Sequence, residues 1–132
     1  MSELLAVDWG SKRVGLAAAD MKLAVVQPLP SLENDADLFA KLTKLCAQLH
    51  ITRLIVGQPL GLNGQETTQT KQVVAFAGQL SRRLNLPVVM QDETLTSAAV
   101  HERFGNKSHD RDSESAVIIL QDYLEILHRP GR

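Results

Sequence analysis

The sequence predicts an α/β fold: a mixed five-stranded sheet, made of a three-strand meander followed by two further strands, with helices on both faces. Three observations carry this expectation. Apolar runs at residues 4–7, 14–19 and 23–27 follow one another too closely for a helix to intervene, and turn-forming residues fill the gaps. Beyond them, two segments with apolar residues at helical spacing alternate with two more short strand-like runs. Finally, 132 residues suffice for one substantial core and are too few for two, so all five strands are expected in a single domain spanning residues 1–132.

The first run, Leu4-Leu5-Ala6-Val7, is continuously apolar, as suits a strand covered on both faces of a sheet. Asp8 arrives where that strand ends, and a carboxylate abutting buried backbone calls for a partner or a metal. Gly10, Ser11 and Gly15 then predict a tight turn into the second strand. Lys22 lies in the next turn, and the third strand is expected to close at Pro28 and Pro30.

Ser31, Asn34 and Asp35 are candidate caps for a helix over about residues 36–49, where Leu38, Phe39, Leu42, Leu45, Cys46 and Leu49 form one stripe. Its place on that stripe makes Cys46 a small core residue rather than a nucleophile. Leu54-Ile55-Val56 reads as a buried strand ending at Gly57, and residues 58–66 as a loop at its carboxyl end. In open α/β sheets ligands bind at such ends, although a plain surface connection would read the same way.

Val73, Phe76, Ala77, Leu80 and Leu84 mark a second helix whose Lys71, Arg82 and Arg83 fall on the solvated side. Residues 87–91 form the fifth strand and run into Asp92-Glu93-Thr94-Leu95-Thr96, where Thr94 or Thr96 can cap a short helix to about Arg103. Residues 105–111, with His109, read as a loop. The last helix starts near Asp112. At about 100° per residue, Asp112 shares a face with Ala116, Ile119 and Tyr123, and Glu114 points to the other side. Asp112 is thus the acid expected to aim inward, unless it serves only as a helix cap.

Apolar residues make up 44% of the chain and charged residues 22%, which argues against disorder. The net charge of −1 excludes a protein held to nucleic acid by bulk positive charge and leaves room for a local basic patch. A single cysteine forms no internal disulfide, and no Cys/His group has zinc-ligand spacing. The N-terminus lacks the pattern of a signal peptide and no apolar run approaches the roughly 20 residues of a membrane span, so a cytoplasmic protein is expected.

Asp8, Glu93 and Asp112 come from a first-strand end, a late strand end and a helix start. If the first and fifth strands are neighbours, the two strand acids converge and the last helix brings the third. Hard oxygen ligands suit Mg²⁺ or Mn²⁺, and a pair of such ions about 4 Å apart can activate water and stabilise the leaving oxygen of a phosphodiester. Ser11, Lys12 and Arg13 lie near the same edge as candidate nucleic-acid-binding residues for the phosphate backbone; without the acids they would read as solvated turn charges. Trp9 could stack on a base, or pack against its own protein. His109 is the one histidine placed to help with proton transfer. An Asp-x-Gly phosphate turn also opens the sugar-kinase fold, which closes two such domains around its nucleotide where this chain has one.

Taken together, Asp8-x-Gly10-Ser11-Lys12-Arg13-x-Gly15, Val56-Gly57-Gln58-Pro59-Leu60 with Asn63-Gly64, Asp92-Glu93-x-Leu95-Thr96, and Asp112 before Ala116-Val117-Ile118-Ile119-Leu120-Gln121 resemble the YqgF family. Its members are RNase H-like proteins described as Holliday junction resolvases or pre-16S rRNA nucleases. The resemblance covers about residues 4–127. It implies an RNase H-like fold and a divalent-metal nuclease site at Asp8, Glu93 and Asp112, loaded with Mg²⁺ or Mn²⁺. It further implies a role in maturing the 5′ end of 16S ribosomal RNA. The partners it implies are structured RNA, chiefly precursor 16S rRNA, or branched DNA, with pre-ribosomal particles and a homodimer as further expectations. Two features depart from the family: Thr94 stands where members commonly carry Arg, and the loop over residues 105–111 is less basic. Both remove positive charge from the expected substrate path, which implies cleavage that is weak, differently directed or assisted by a partner. A noncatalytic RNA-binding assembly factor on the same fold is the alternative, disfavoured by retention of all three acids.

Overall fold

A computed structural model of the chain describes residues 3–23, 25–59, 65–93 and 111–127, with the side chains of Glu93, Arg111 and Asp112 outside the description. The strands are β1 (Leu4–Asp8), β2 (Arg13–Ala19), β3 (Val26–Glu33), β4 (Arg53–Pro59) and β5 (Val88–Glu93). The described helices are α1 (Leu38–Leu49), α2 (Thr68–Leu84) and α3 (Arg111–Leu127). The strands form one mixed sheet in the order β3-β2-β1-β4-β5. β1, β2 and β3 pair antiparallel as the expected meander, and β4 lies parallel to both β1 and β5.

Strand periodicity divides the core in two. Leu5 and Val7 of β1, with Val14, Leu16 and Ala18 of β2, pack against Leu38, Leu42 and Cys46 of α1 and Val73, Phe76 and Leu80 of α2. The alternate residues Leu4, Ala6, Ala17, Ala19 and Ile55 pack against Ala116, Ile119, Leu120 and Tyr123 of α3. The small side chains of β2 on this face let α3 lie close to the sheet, and Gly57 of β4 takes this furthest. A Cβ there would stand 2.4 Å from Ile119 Cδ1 and 3.1 Å from its Cγ1.

The third strand lies later in the chain than expected. It begins at Val26 and runs through Pro28 and Pro30 to Glu33. Proline cannot donate to a ladder, and β3 has a partner on one side only, so the missing amides cost no pairing. A bulge interrupts the β2–β3 register between Val14 and Leu16. There Ser113 of α3 fills the break: its Oγ accepts from the Leu16 amide at 3.4 Å and donates to the Leu29 carbonyl. At the hairpin between β2 and β3, Asp20 accepts the Lys22 and Leu23 amides at 2.8 and 3.1 Å. Those Leu23 and Lys22 amides hold its carboxyl below the usual carboxylate range.

The helix ends are set by local chemistry. Asp37 occupies the N-cap of α1 without a side-chain cap bond, and Asp35 instead accepts the Asp37 amide at 3.0 Å. α2 opens with a capping box in which Thr67 and Thr70 satisfy each other's amides, and the Thr70 hydroxyl also donates to the Pro59 carbonyl at the end of β4. His50 and Asn85 close α1 and α2 with φ of 57° and 55°. Cys46 is buried, and burial pushes its thiol up to about 11, in keeping with a core role. Among the described residues no helix is long and apolar enough to cross a membrane.

Candidate functional site

Asp8 ends β1 and is half-buried. Two and four residues before it, Ala6 and Leu4 face α3, so Asp8 belongs to the α3 side of the sheet. Its register partner on β2 is Gly15, and Val7 beside it pairs with Val56, which sets Asp8 level with Gly57 on β4. Neither neighbouring position at this level carries a side chain, and Ile119 of α3 fills the space beside Gly57.

The sequence expectation made convergence of the strand acids depend on β1 and β5 being neighbours, and they are not: β4 lies between them. Two strand spacings put about 10 Å between the Cα columns of β1 and β5. Glu93 ends β5 opposite Pro59, an even number of residues from Val89, which packs on the α3 side. Asp112 is the second residue of α3, next to the Ser113 that docks on Leu16 and Leu29. Asp8 and Glu93 thus stand at the carboxyl ends of β1 and β5 and Asp112 in the first turn of α3, and the side chains of Glu93 and Asp112 lie outside the described residues. Thr94, His109 and residues 60–64 and 94–110 lie outside them as well.

One expectation about α3 fails. Glu114 was expected on a side of the helix away from the protein, with Asp112 alone aimed inward. Glu114 is only 4% exposed. Ser113, Ala116, Val117, Ile118, Ile119, Leu120, Tyr123 and Leu124 are buried too, so α3 is covered over most of its circumference and a wheel with one inner and one outer face does not describe its first turns.

The turn after β1 has the expected composition and an unexpected anchor. Ser11, Lys12 and Arg13 are exposed, and Arg13 pairs in register with Glu33 of β3. Gly10 is required by close approach, since a Cβ there would stand 2.5 Å from the Arg13 carbonyl oxygen. Asn34, read from sequence as a helix cap, instead donates from Nδ2 to the Gly10 carbonyl at 2.7 Å, and its backbone amide donates to the Lys12 carbonyl at 2.9 Å. No local pattern announces this bond, which spans 24 residues. Trp9 is half-buried and packs against the core beside Phe76, with ring centroids 6.5 Å apart. Arg83 lies over the Phe39 ring at 4.7 Å, while Lys71 and Arg82 are exposed.

Comparison with known proteins agrees with this architecture. A family model described as RuvX, Holliday junction resolvase, matches residues 2–126. A relative from Rickettsia akari named "Putative pre-16S rRNA nuclease" is 30% identical over 129 residues, covering 94% of this chain and 84% of that protein. One of the same name from Rickettsia africae is 33% identical over 131 residues, covering 92% and 85%. Among solved structures, Thermus thermophilus RuvC in complex with a Holliday junction substrate superposes with a TM-score of 0.61 at 12% identity, covering 98% of this chain and 97% of that one. Fowlpox virus resolvase bound to junction DNA gives 0.54 at 13% identity, covering 98% and 100%. At such identities the structural likeness shows the fold, which is RNase H-like, and the match to the family model over nearly the whole length shows the lineage: the chain belongs to the RuvX family, also called YqgF.

Proposed function

We propose that the protein is a divalent-metal-dependent endonuclease that hydrolyses phosphodiester bonds of structured RNA, acting on precursor 16S rRNA at its 5′ end. The observation that carries this reading is Asp8: a half-buried carboxylate at the end of a central strand, on the α3 side, with Gly15 and Gly57 beside it and an exposed Ser11-Lys12-Arg13 turn following. A carboxylate held half-buried at the end of a central strand is the kind of group that a bound cation stabilises. Asp8, Glu93 and Asp112 are the proposed ligands and catalytic acids, and their carboxylate oxygens fit Mg²⁺ or Mn²⁺. Bound ions would supply an activated water and charge stabilisation of the leaving oxygen. The roughly 10 Å between β1 and β5 leaves room for carboxylate arms on either side of ions whose oxygen bonds are about 2.1 Å long. Lys12 and Arg13 would hold the substrate backbone, and the site of action would be the cytoplasm, on free precursor RNA or within pre-ribosomal particles.

RNA is preferred because relatives at 30–33% identity across most of their length carry the pre-16S rRNA nuclease name. The family's own description favours a second substrate, the four-way DNA junction. Cutting a junction symmetrically would call for a homodimer with two opposed sites, whereas trimming a single strand needs one site. Incubating the purified protein with a precursor 16S fragment and a four-way junction side by side, with Mg²⁺ or Mn²⁺, separates the two. Cleavage of the RNA alone is expected; cleavage of the junction alone would transfer the assignment to DNA.

A further inference from the structure

We propose that Asn34 is a positioning residue for substrate binding: by anchoring two carbonyls of the turn after β1 it holds the Ser11 amide outward as a hydrogen-bond donor to a backbone phosphate. The proposal rests on the nuclease reading for its substrate class and on the geometry of the turn for the rest. Asn34 follows β3 directly and is half-buried. Its side-chain amide reaches the Gly10 carbonyl at 2.7 Å and its main-chain amide the Lys12 carbonyl at 2.9 Å. A trans peptide unit carries its C=O and N–H on opposite sides. With the Gly10 carbonyl drawn toward Asn34, the amide of the same unit, that of Ser11, is turned away from it, and the same holds for the Lys12 carbonyl and the Arg13 amide.

Outward-turned amides beside cationic side chains form the kind of concavity that binds anions. Ser11 is exposed and stands three residues from Asp8. The turn also has little slack, because Gly10 already approaches the Arg13 carbonyl so closely that no side chain fits. The helix that follows does not need the Asn34 carboxamide, since Asp35 and Asp37 supply its entry.

The test uses the full chain with Asn34→Ala, which removes the side-chain donor, and Asn34→Asp, which sets a carboxylate against the Gly10 carbonyl. On a precursor 16S fragment, Asn34→Ala is expected to raise KM about tenfold, as for the loss of one phosphate hydrogen bond, with kcat within about twofold of wild type. Asn34→Asp is expected to raise KM further. A second readout requires no cleavage: in ¹⁵N-labelled protein titrated with pentauridylate, the Ser11 amide resonance should move in wild type and should stop responding in Asn34→Ala. A wild type that cuts nothing would defeat the nuclease reading while leaving the Ser11 response to decide this one. A Ser11 amide indifferent to pentauridylate in wild type overturns the proposal, as does wild-type KM in Asn34→Ala. A fall of kcat and thermal stability together with unchanged KM would make Asn34 merely structural and overturn it equally.

Discussion

Replacing Gly57 by alanine should displace α3 from the sheet. The new Cβ would stand 2.4 Å from Ile119 Cδ1 and 3.1 Å from Cγ1, both distances below ordinary carbon contact, and Ile119 is 1% exposed, so its side chain or α3 must shift within a packed core. Overpacking of this kind costs about 1–3 kcal/mol, which for a domain of this size lowers Tm by roughly 2–8 °C per kcal/mol. Urea denaturation measures it. Adding Ile119→Val removes the atom that clashes most, while alone it costs about 0.5–1.5 kcal/mol. The two changes should therefore be non-additive, with the double variant more stable than the sum predicts by about 1 kcal/mol or more. Strict additivity would refute the close approach of α3 to β4. Because α3 carries Asp112 near its start, Gly57→Ala should also lower cleavage by more than its unfolded fraction accounts for.

Two further outcomes follow from buried groups. Ser113→Ala strands the Leu16 amide and the Leu29 carbonyl at the β2–β3 bulge, and a loss of about 1–3 kcal/mol in urea denaturation is expected, with a near-neutral result contradicting the bridge. For Cys46, the folded thiol is raised from 9.0 to about 11 by burial, so the folded state favours the protonated form. Its contribution to stability is intact below about pH 9 and declines as pH rises toward 11. Cys46→Ala should flatten the fall in Tm over that window, and modification of native protein by iodoacetamide at pH 8 should be slow until denaturant is added.

Much of the fold was legible because it is written in local periodicity. The apolar run before Asp8, the helical stripes through Leu42 and Cys46 and through Phe76 and Leu80, and the turn glycines all act over a few residues. The third strand was misplaced because Pro28 and Pro30 look like stop signals, and only knowledge that β3 is an edge makes them tolerable. Strand adjacency was equally out of reach: β4 inserts between β1 and β5, and nothing local states it. The polar contacts that set the site are bonds across 97, 84 and 24 residues, those of Ser113 to Leu16 and Leu29 and of Asn34 to Gly10, made by residue types that cap helices and fill turns everywhere. Asp8 and the Ser11–Arg13 turn could be singled out because an acid at a buried strand end is chemically conspicuous. Glu114 could not be placed, since a helix covered on most sides hides its inward direction from a wheel.

The proposed metal-dependent cleavage turns on Asp8. Asp8→Asn keeps the shape of the side chain and removes the charge a divalent ion requires, so folding should be preserved while cleavage disappears. The deciding measurement is single-turnover cleavage of a precursor 16S rRNA fragment by wild type and Asp8→Asn, with Mg²⁺, with Mn²⁺ and with excess chelator, alongside urea denaturation of both proteins. Metal-dependent cleavage by wild type is expected, with none in the presence of chelator and none by a normally folded Asp8→Asn. Equal cleavage by the variant, or cleavage that survives the chelator, would contradict it.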